Sequence, residues 1–392
     1  MNDLIFLRNL PLELLYIVTS YDPAVLFLFP RSDLLQLNWS RLLKLNFHKD
    51  YKNSPLTNEQ LMRAYVNNFS GINKIICGMT EYFIINDACT VTLFDKSHNF
   101  NIKDFQRNIS QIACGPSHTM ILLLDGTLLC RGFNSNGQLG LKDICTRDNF
   151  VKNDTFGEHI SIKQIACGSA HTLILLTNGT LLTCGDNSSG QLGSGPGSHR
   201  NFLRKVDTIA RITQIACGYH HSFIKLEDGS IMSSGGNTSG QLGLRHTEVR
   251  YIFEKVEDIH GDISEIICGN CNTFLLMNDG TLMSCGYGKV GTLGHGDYES
   301  RTTFTLIEGL PKNIIKVQAG FDHVICLLGN GIIMTCGSNF SDELGFNDKI
   351  NRNIFEEIKN LPPVENIGTG AFARYSIIDL LNGPLMRFGK FG

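Results

Sequence analysis

The chain has 392 residues, with 34 basic and 37 acidic side chains, a formal net charge of −3 and 42% hydrophobic residues. That balance excludes a disordered polar chain and gives no general electrostatic drive toward nucleic acid. Forty glycines against ten prolines, without a G-X-Y period, exclude collagen and point to many tight turns, hence to an all-β protein.

The N-terminal segment comes first. Residues 1–70 carry seven basic and six acidic side chains, so no basic tail hides there. The stretch from Leu10 to Phe29 is apolar but interrupted by Pro11, Glu13, Asp22 and Pro23, whereas a membrane span needs about 20 mostly apolar residues. Asp3 precedes it and no basic n-region stands before it, which argues against a signal peptide. Pro11 suits the first turn of a helix, where no N–H is needed. Leu34, Leu35, Leu37, Leu42, Leu43 and Leu45 around Trp39 predict a second, amphipathic helix, and Thr57–Phe69 also reads as helical. Residues 1–70 are therefore predicted to form a small α-helical module. Leu10-Pro-Leu-Glu-Leu14 followed by Ile17 resembles the opening of an F-box. That resemblance implies that Leu10, Pro11, Glu13, Leu14 and Ile17 dock a Skp-type adaptor. A helical cap over one face of the following domain explains the same leucines, and both readings stay open.

From residue 72 the chain repeats itself. Gln111-Ile-Ala-Cys-Gly115 recurs at Gln164–Gly168 and Gln214–Gly218, with weaker copies ending at Gly78, Gly269, Gly320 and Gly370. Those glycines are spaced 37, 53, 50, 51, 51 and 50 residues apart, giving seven starts. Turn pairs keep the same beat: Asp125-Gly126, Asn178-Gly179, Asp228-Gly229, Asp279-Gly280, Asn330-Gly331 and Asn382-Gly383. Such pairs between apolar runs are hairpin signals, and a type I′ turn is expected there, with positive φ at both central residues. The first five turns are each followed by a glycine loop: Gly137-Gln-Leu-Gly140, Gly190-Gln-Leu-Gly193, Gly240-Gln-Leu-Gly243, Gly291-Thr-Leu-Gly294 and Asp342-Glu-Leu-Gly345.

A unit thus reads as four short strands, for example Ile165–Cys167, Thr172–Leu176, Thr180–Cys184 and Phe202–Val206. Near-continuous apolar strands suit sheets covered on both faces. Seven radial four-strand units predict a seven-bladed β-propeller over residues 72–392. The first unit is short and lacks the glycine loop, and the last stops after its third strand. Its fourth strand is expected from the chain just before Lys74, which would latch the ring.

These repeats are similar to those of the regulator of chromosome condensation family. His118, His171, His221 and His323 match its histidine; Asn134, Asn187, Asn237 and Asn339 match its asparagine; Leu293-Gly-His-Gly-Asp297 matches its tail. The tryptophan that the family places before a glycine is replaced by other residues here. Kelch propellers share the period of about 50 residues, but their Gly-Gly doublet occurs here once, at Gly235-Gly236. The F-box-like head on such repeats also resembles proteins of large DNA viruses of amoebae.

Several site motifs compete with the repeat and lose to it. Thirteen cysteines, an odd number in a long chain, fit a reducing intracellular compartment better than a disulfide framework. Nine of them occupy repeat positions. Equivalent cysteines are expected a whole blade apart, as small buried thiols that do not share a site. Cys268-Gly-Asn-Cys271 looks like a redox or metal pair, but no second pair stands at zinc spacing. Gly286-Tyr-Gly-Lys-Val-Gly291 satisfies G-x-G-x-x-G but lies between strands, so a nucleotide site is rejected. The histidines are expected to bond neighbouring backbone carbonyls. Glu81, Asn272 and Ala373 replace them in other units, which breaks any ring of ligands. No catalytic, metal or cofactor residues are assigned.

The expected function is a non-catalytic interaction or assembly scaffold. Its contacts are expected on the loops that differ between units: Lys142–Asn153, Ser194–Phe202, Leu244–Tyr251 and His295–Thr303. Its alternatives are a ubiquitin-ligase substrate adaptor through the F-box-like head, or a self-assembling component of a virus particle, placing the protein in host cytoplasm or virion. Guanine-nucleotide exchange on a Ran-type GTPase, which the family resemblance implies, ranks lower. Complete units of 50 to 53 residues leave little room for an inserted wedge.

Overall fold

The computed structural model describes residues 37–38, 41–42, 75–79, 81–85, 91–95, 99–101, 109–155, 160–207, 210–381 and 383–390. Leu10, Pro11, Glu13, Leu14 and Ile17 lie outside the described residues, as do Thr57–Phe69 and the chain before Lys74 from which the closing strand was expected. Of the second expected helix, one turn is described. The Asn38 side chain accepts from the Arg41 N–H at 3.0 Å, and the Asn38 carbonyl from Leu42 at 3.1 Å. This is the bonding of a helix N-cap. Leu37 and Leu42 are buried.

Seven antiparallel sheets follow one another along the chain, as expected. We number the blades 1 to 7 from β1 (Ile75–Cys77) onward. Blade 3 shows the pattern: β9 (Ile162–Cys167), β10 (His171–Leu176), β11 (Leu181–Gly185) and β12 (Arg200–Val206), in the spatial order of the sequence. First strands of successive blades touch one another, so they line the axis of a ring. Second strands are wholly buried in blades 2, 3, 5 and 6, as His171-Thr-Leu-Ile-Leu-Leu176 is. They are sandwiched between neighbouring sheets, which is why they read as unbroken apolar runs. Fourth strands are mostly exposed or half-buried and form the rim. Apolar clusters sit between blades, one joining Leu173, Leu175 and Leu181 of blade 3 to Ile212, Ile215 and Ile224 of blade 4.

The first unit, though short, is a complete blade whose fourth strand is only Asn99–Asn101. Blade 7 has three strands among the described residues. The ring closes where β1 lies beside β25 (Val364–Gly368). Only glycine fits there: a Cβ on Gly368 would lie 2.3 Å from Ile75, and one on Gly370 would lie 2.1 Å from the Cys77 carbonyl.

The hairpin turns differ from the type I′ expectation. In five of them glycine alone has positive φ, for example 84° at Gly126 and Gly179, while the preceding Asp or Asn does not. The Asp125 carboxylate accepts from the Thr127 N–H at 2.9 Å, and Asn178 does the same for Thr180 at 3.0 Å. That local bond favours a right-handed Asx conformation, and glycine takes the left-handed position after it.

Candidate interaction face

Strand directions put two kinds of loop on one face of the ring. One links the first and second strands, beginning at the start glycine. The other links the third and fourth strands and contains the Gly-Gln-Leu-Gly segment. The Asp/Asn-Gly hairpins lie on the opposite face.

The second kind of loop is braced from within. Asn134, Asn187, Asn237 and Asn339 are buried. Each accepts, through Oδ1, from the leucine N–H of its own glycine loop, at 2.9, 3.1, 3.0 and 3.0 Å. Each donates, through Nδ2, to the far side of the loop: the Asp143, Gly195 and His246 carbonyls and the Asp348 carboxylate. An amide with one donor and one acceptor can span both sides, which an aspartate or a leucine could not.

The histidines clasp blade to blade. Nε2 of His118 meets Thr172 Oγ1 at 3.0 Å, His171 meets Ser222 at 3.0 Å, His221 meets Thr273 at 3.0 Å, and His323 meets Ser376 at 2.8 Å. The hydroxyls of Thr172, Ser222 and Thr273 donate onward to the Gln138, Gln191 and Gln241 carbonyls at 2.7–2.9 Å. The expected histidine-to-carbonyl bond is thus corrected: the hydroxyl takes the carbonyl and accepts from the imidazole. Nε2 must carry the proton. Nδ1 of His118, His171 and His221 is buried with no hydrogen-bond partner. Burial pushes His118 down to about 4 and His221 and His323 down to about 3. The start glycine is required beside each ring, since a Cβ on Gly168 would lie 1.9 Å from His171 Cε1.

Exceptions follow the same logic. Glu81 holds the histidine position in blade 1 and accepts from the Thr119 hydroxyl. Blade 5 carries Asn272, and blade 6 carries Val324 at the hydroxyl position, so that junction lacks the clasp. In blade 7 the counterpart is Tyr375, not Ala373. Tyr375 pairs with Gly389 as His171 pairs with Gly185, because the loop after Gly370 is two residues longer. The Tyr375 hydroxyl donates to the Gly78 and Glu81 carbonyls, 2.9 and 3.1 Å away, and so clasps the closing junction.

At the axis a second side-chain bracket operates. Gln164 donates to the Ile215 carbonyl and accepts from its N–H, both at 2.9 Å, and Gln111 brackets Ile165 likewise. Lys316 holds the same position in blade 6 and reaches Asn366 and the Ile367 carbonyl. The cysteine expectation needs correction here. Cys114, Cys167, Cys217 and Cys268 line one cavity of about 190 Å³, because first strands converge at the axis. Whole-blade separation holds only away from it. The cavity is roofed by the longer blade 7 loop, whose Phe372 ring lies 5.8 Å from that of Tyr219 in blade 4. Burial pushes these thiols well above their ordinary range. They are therefore neutral, poorly nucleophilic side chains. Among the described residues, no three His, Cys, Asp or Glu side chains are grouped to hold a metal ion.

Lys142–Asn153, Ser194–Phe202, Leu244–Tyr251 and His295–Thr303 all follow the glycine loop and lead into the rim strand. Each is tied to the next blade, through Lys142 to Asn201, Gly195 to Tyr251, Arg245 to Thr302 and Gly296 to Asn353. Ile144, Tyr298 and Ile350 stand 61, 45 and 61% exposed on such loops, and Phe340, just before the glycine loop of blade 6, is 76% exposed. An arginine at the head of the rim strand in blades 2 to 6 went unread in the sequence. Arg147, Arg200, Arg250, Arg301 and Arg352 recur every 50 to 53 residues. Arg147, Arg301 and Arg352 reach an aspartate four residues earlier, at 2.5, 2.7 and 2.5 Å. Among the described residues no helix is long and apolar enough to cross a membrane.

The fold and its loops define the class: a seven-bladed β-propeller whose loops on one face are braced from within. The chain belongs to the RCC1-like domain family, whose model matches residues 90–373. It is similar to the ultraviolet-B receptor UVR8 of Arabidopsis thaliana, at 30% identity over 62% of this chain and 44% of the receptor. It is also similar to the human X-linked retinitis pigmentosa GTPase regulator, at 37% identity over 59% of this chain and 23% of that protein. The chain thus matches less than half the length of these relatives. Among solved structures it resembles Prp20p of Saccharomyces cerevisiae, with a TM-score of 0.66 at 21% identity over 80% of this chain and 81% of that one. Human WBSCR16 gives 0.65 at 18% identity over 81 and 88%. These two likenesses speak to the fold alone.

Proposed function

We propose that this protein is a non-catalytic platform that holds protein partners on its loop face. One observation carries the reading: the blade 2 and blade 6 loops, braced by the buried Asn134 and Asn339, expose Ile144, Phe340 and Ile350, and the matching loop of blade 5, where Gly288 replaces the asparagine, exposes Tyr298. Pre-organised apolar anchors lower the ordering cost of binding. Titratable groups beneath them are held neutral, which suits a scaffold better than acid–base chemistry. A protein of the same fold gives a precedent for a protein partner, since a solved complex holds yeast RCC1 (Prp20) bound to Kap60.

Two finer forms of the reading rest on the sequence. In one, Leu10, Pro11, Glu13, Leu14 and Ile17 dock a Skp-type adaptor while the propeller holds a target. In the other, the propeller self-associates as a structural component of a virus particle. Affinity purification from a eukaryotic cell extract, read by mass spectrometry, separates them. The wild type should recover partners that a variant with serine at Ile144, Tyr298, Phe340 and Ile350 loses. A Skp-type adaptor lost on Leu10→Lys with Leu14→Lys supports the first form, and recovery of untagged copies of the chain itself supports the second. An identical partner set with the serine variant refutes the loop-face reading. Exchange on a Ran-type GTPase ranks below it and is tested by release of labelled nucleotide.

A further inference from the structure

The rim arginines carry an internal comparison. In blades 2, 5 and 6 the arginine is neutralised by the aspartate four residues before it; in blade 4, by Glu248 and Glu254. Blade 6 adds Glu356 at 3.1 Å, four residues after Arg352. Blade 3 breaks both rules. Pro196 stands where the aspartate would be, and Arg204 stands where blades 4 and 6 carry Glu254 and Glu356. Nη1 of Arg200 is buried with no hydrogen-bond partner.

The unmatched charge faces a cleft of about 500 Å³ between blades 3 and 4, lined by Arg200, Arg204 and Lys205 on one side and Met232, Ile252 and Phe253 on the other. Asp207 is the one acidic residue in its wall. Ile252 is largely exposed. The corresponding cleft on blade 4, about 330 Å³, neutralises itself. There Arg245 pairs with Asp258, Lys255 with Glu257 at 3.4 Å, and Glu254 with Arg250. Blade 3 therefore departs from its own repeat by two changes, Pro196 and Arg204, both of which leave positive charge open. Burial and the nearby Arg204 push Arg200 down, whereas Arg147 and Arg352 are pushed up by bonds to Asp143 and Asp348. A desolvated guanidinium without a counter-charge is costly and lowers its energy by accepting an anion.

We propose that the cleft between blades 3 and 4 binds an acidic peptide segment, a carboxylate seated between Arg200 and Arg204 and an adjacent apolar side chain against Met232, Ile252 and Phe253. The volume lies in the range of short-ligand sites, and the mixed lining selects a charge joined to an apolar group. This deepens the platform reading by naming one partner chemistry and one place for it, built from residues other than Ile144, Tyr298, Phe340 and Ile350.

The test is fluorescence anisotropy at low salt, using a short fluorescein-labelled peptide of alternating glutamate and leucine and a lysine–leucine peptide as control. The wild type binds the acidic peptide saturably and ignores the basic one. Arg204→Glu installs the carboxylate that blades 4 and 6 already carry, on an exposed position, so the ring is retained and circular dichroism is unchanged. Affinity for the acidic peptide then falls about tenfold or more. Equal binding by Arg204→Glu, or no saturation with the wild type, overturns the proposal. Loss of partners by the loop-face serine variant, with no effect of Arg204→Glu on the peptide, would leave the platform standing without this cleft; the reverse pattern would leave the cleft without the loop face.

Discussion

Lowering the pH should unfasten the ring at its histidine clasps. His118, His171, His221 and His323 are wholly buried and held neutral, His118 near 4, His221 and His323 near 3, and His171 well below the ordinary value. In the unfolded chain each regains an ordinary value of 6.5. A base whose folded pKa is lowered binds fewer protons when folded, so stability falls as the pH drops below that unfolded value. At pH 5 the deficit is about 2 kcal/mol per histidine relative to neutral pH, and at most about 8 kcal/mol for four. That compares with a total stability of about 5–15 kcal/mol for ordinary domains. Asp297, held down to about 2 by Arg301, adds its own loss only at lower pH. Asp322 and Glu343, raised by burial, work in the opposite direction. Lys316, lowered to about 8 by burial, is charged in both states throughout this range. Urea unfolding followed by circular dichroism between pH 7.5 and 5 measures the slope. His221→Asn copies what blade 5 does with Asn272. It should lower stability at pH 7.5 by about 1–3 kcal/mol and flatten the pH slope by roughly a fifth or less, because His295, lowered to about 4 by burial, and His220, also lowered by burial, add to that slope. A midpoint that does not move between pH 7 and 5, or a slope unchanged in His221→Asn, would refute the clasp argument.

Three further outcomes follow from single positions. Tyr375→Phe removes the donor to Gly78 and Glu81 and should cost about 1–3 kcal/mol, with faster hydrogen exchange in β1 than in blade 4. Gly168→Ala drives a methyl into the His171 ring; overpacking should cost about 1–3 kcal/mol or more, read as a lower melting temperature, whereas Gly126→Ala should act through backbone strain alone, because its Cβ meets open space at positive φ. Asn237→Ala strips both sides of its loop of a buried partner; limited proteolysis should cut within Leu244–Tyr251 faster than in the wild type, at a stability cost of about 1–3 kcal/mol.

The ring was legible because its signals are local and repeated. Start glycines, turn pairs and Gly-Gln-Leu-Gly loops each mark a backbone demand that recurs in every blade. What escaped depends on neighbours distant in sequence. Gly370 plus three residues gives Ala373, and only the pairing of Tyr375 with Gly389 reveals the two extra residues and the tyrosine clasp. Cysteines fifty residues apart line one cavity at the axis because a radial fold brings its innermost strands together, which spacing alone does not express. Turn type went astray because the Asx bond of Asp125 to Thr127 outweighs the Asp-Gly preference for a type I′ turn. The arginine beat was open to reading, and its exception at Pro196 and Arg204 needed only the units set side by side. For the head, Leu10 to Ile17 supplies a resemblance, and the described residues reach only the capped turn at Asn38.

Lysine cross-linking of the purified protein to its captured partners, mapped by mass spectrometry, tests the platform claim most directly. Lys142, Lys289 and Lys349 are exposed on the loop face, while Lys312 and Lys359 are exposed on the connections of the opposite face. The platform account predicts partner cross-links at the first three and none at the last two. Cross-links confined to Lys312 and Lys359 would contradict it and move the binding surface to the other side of the ring.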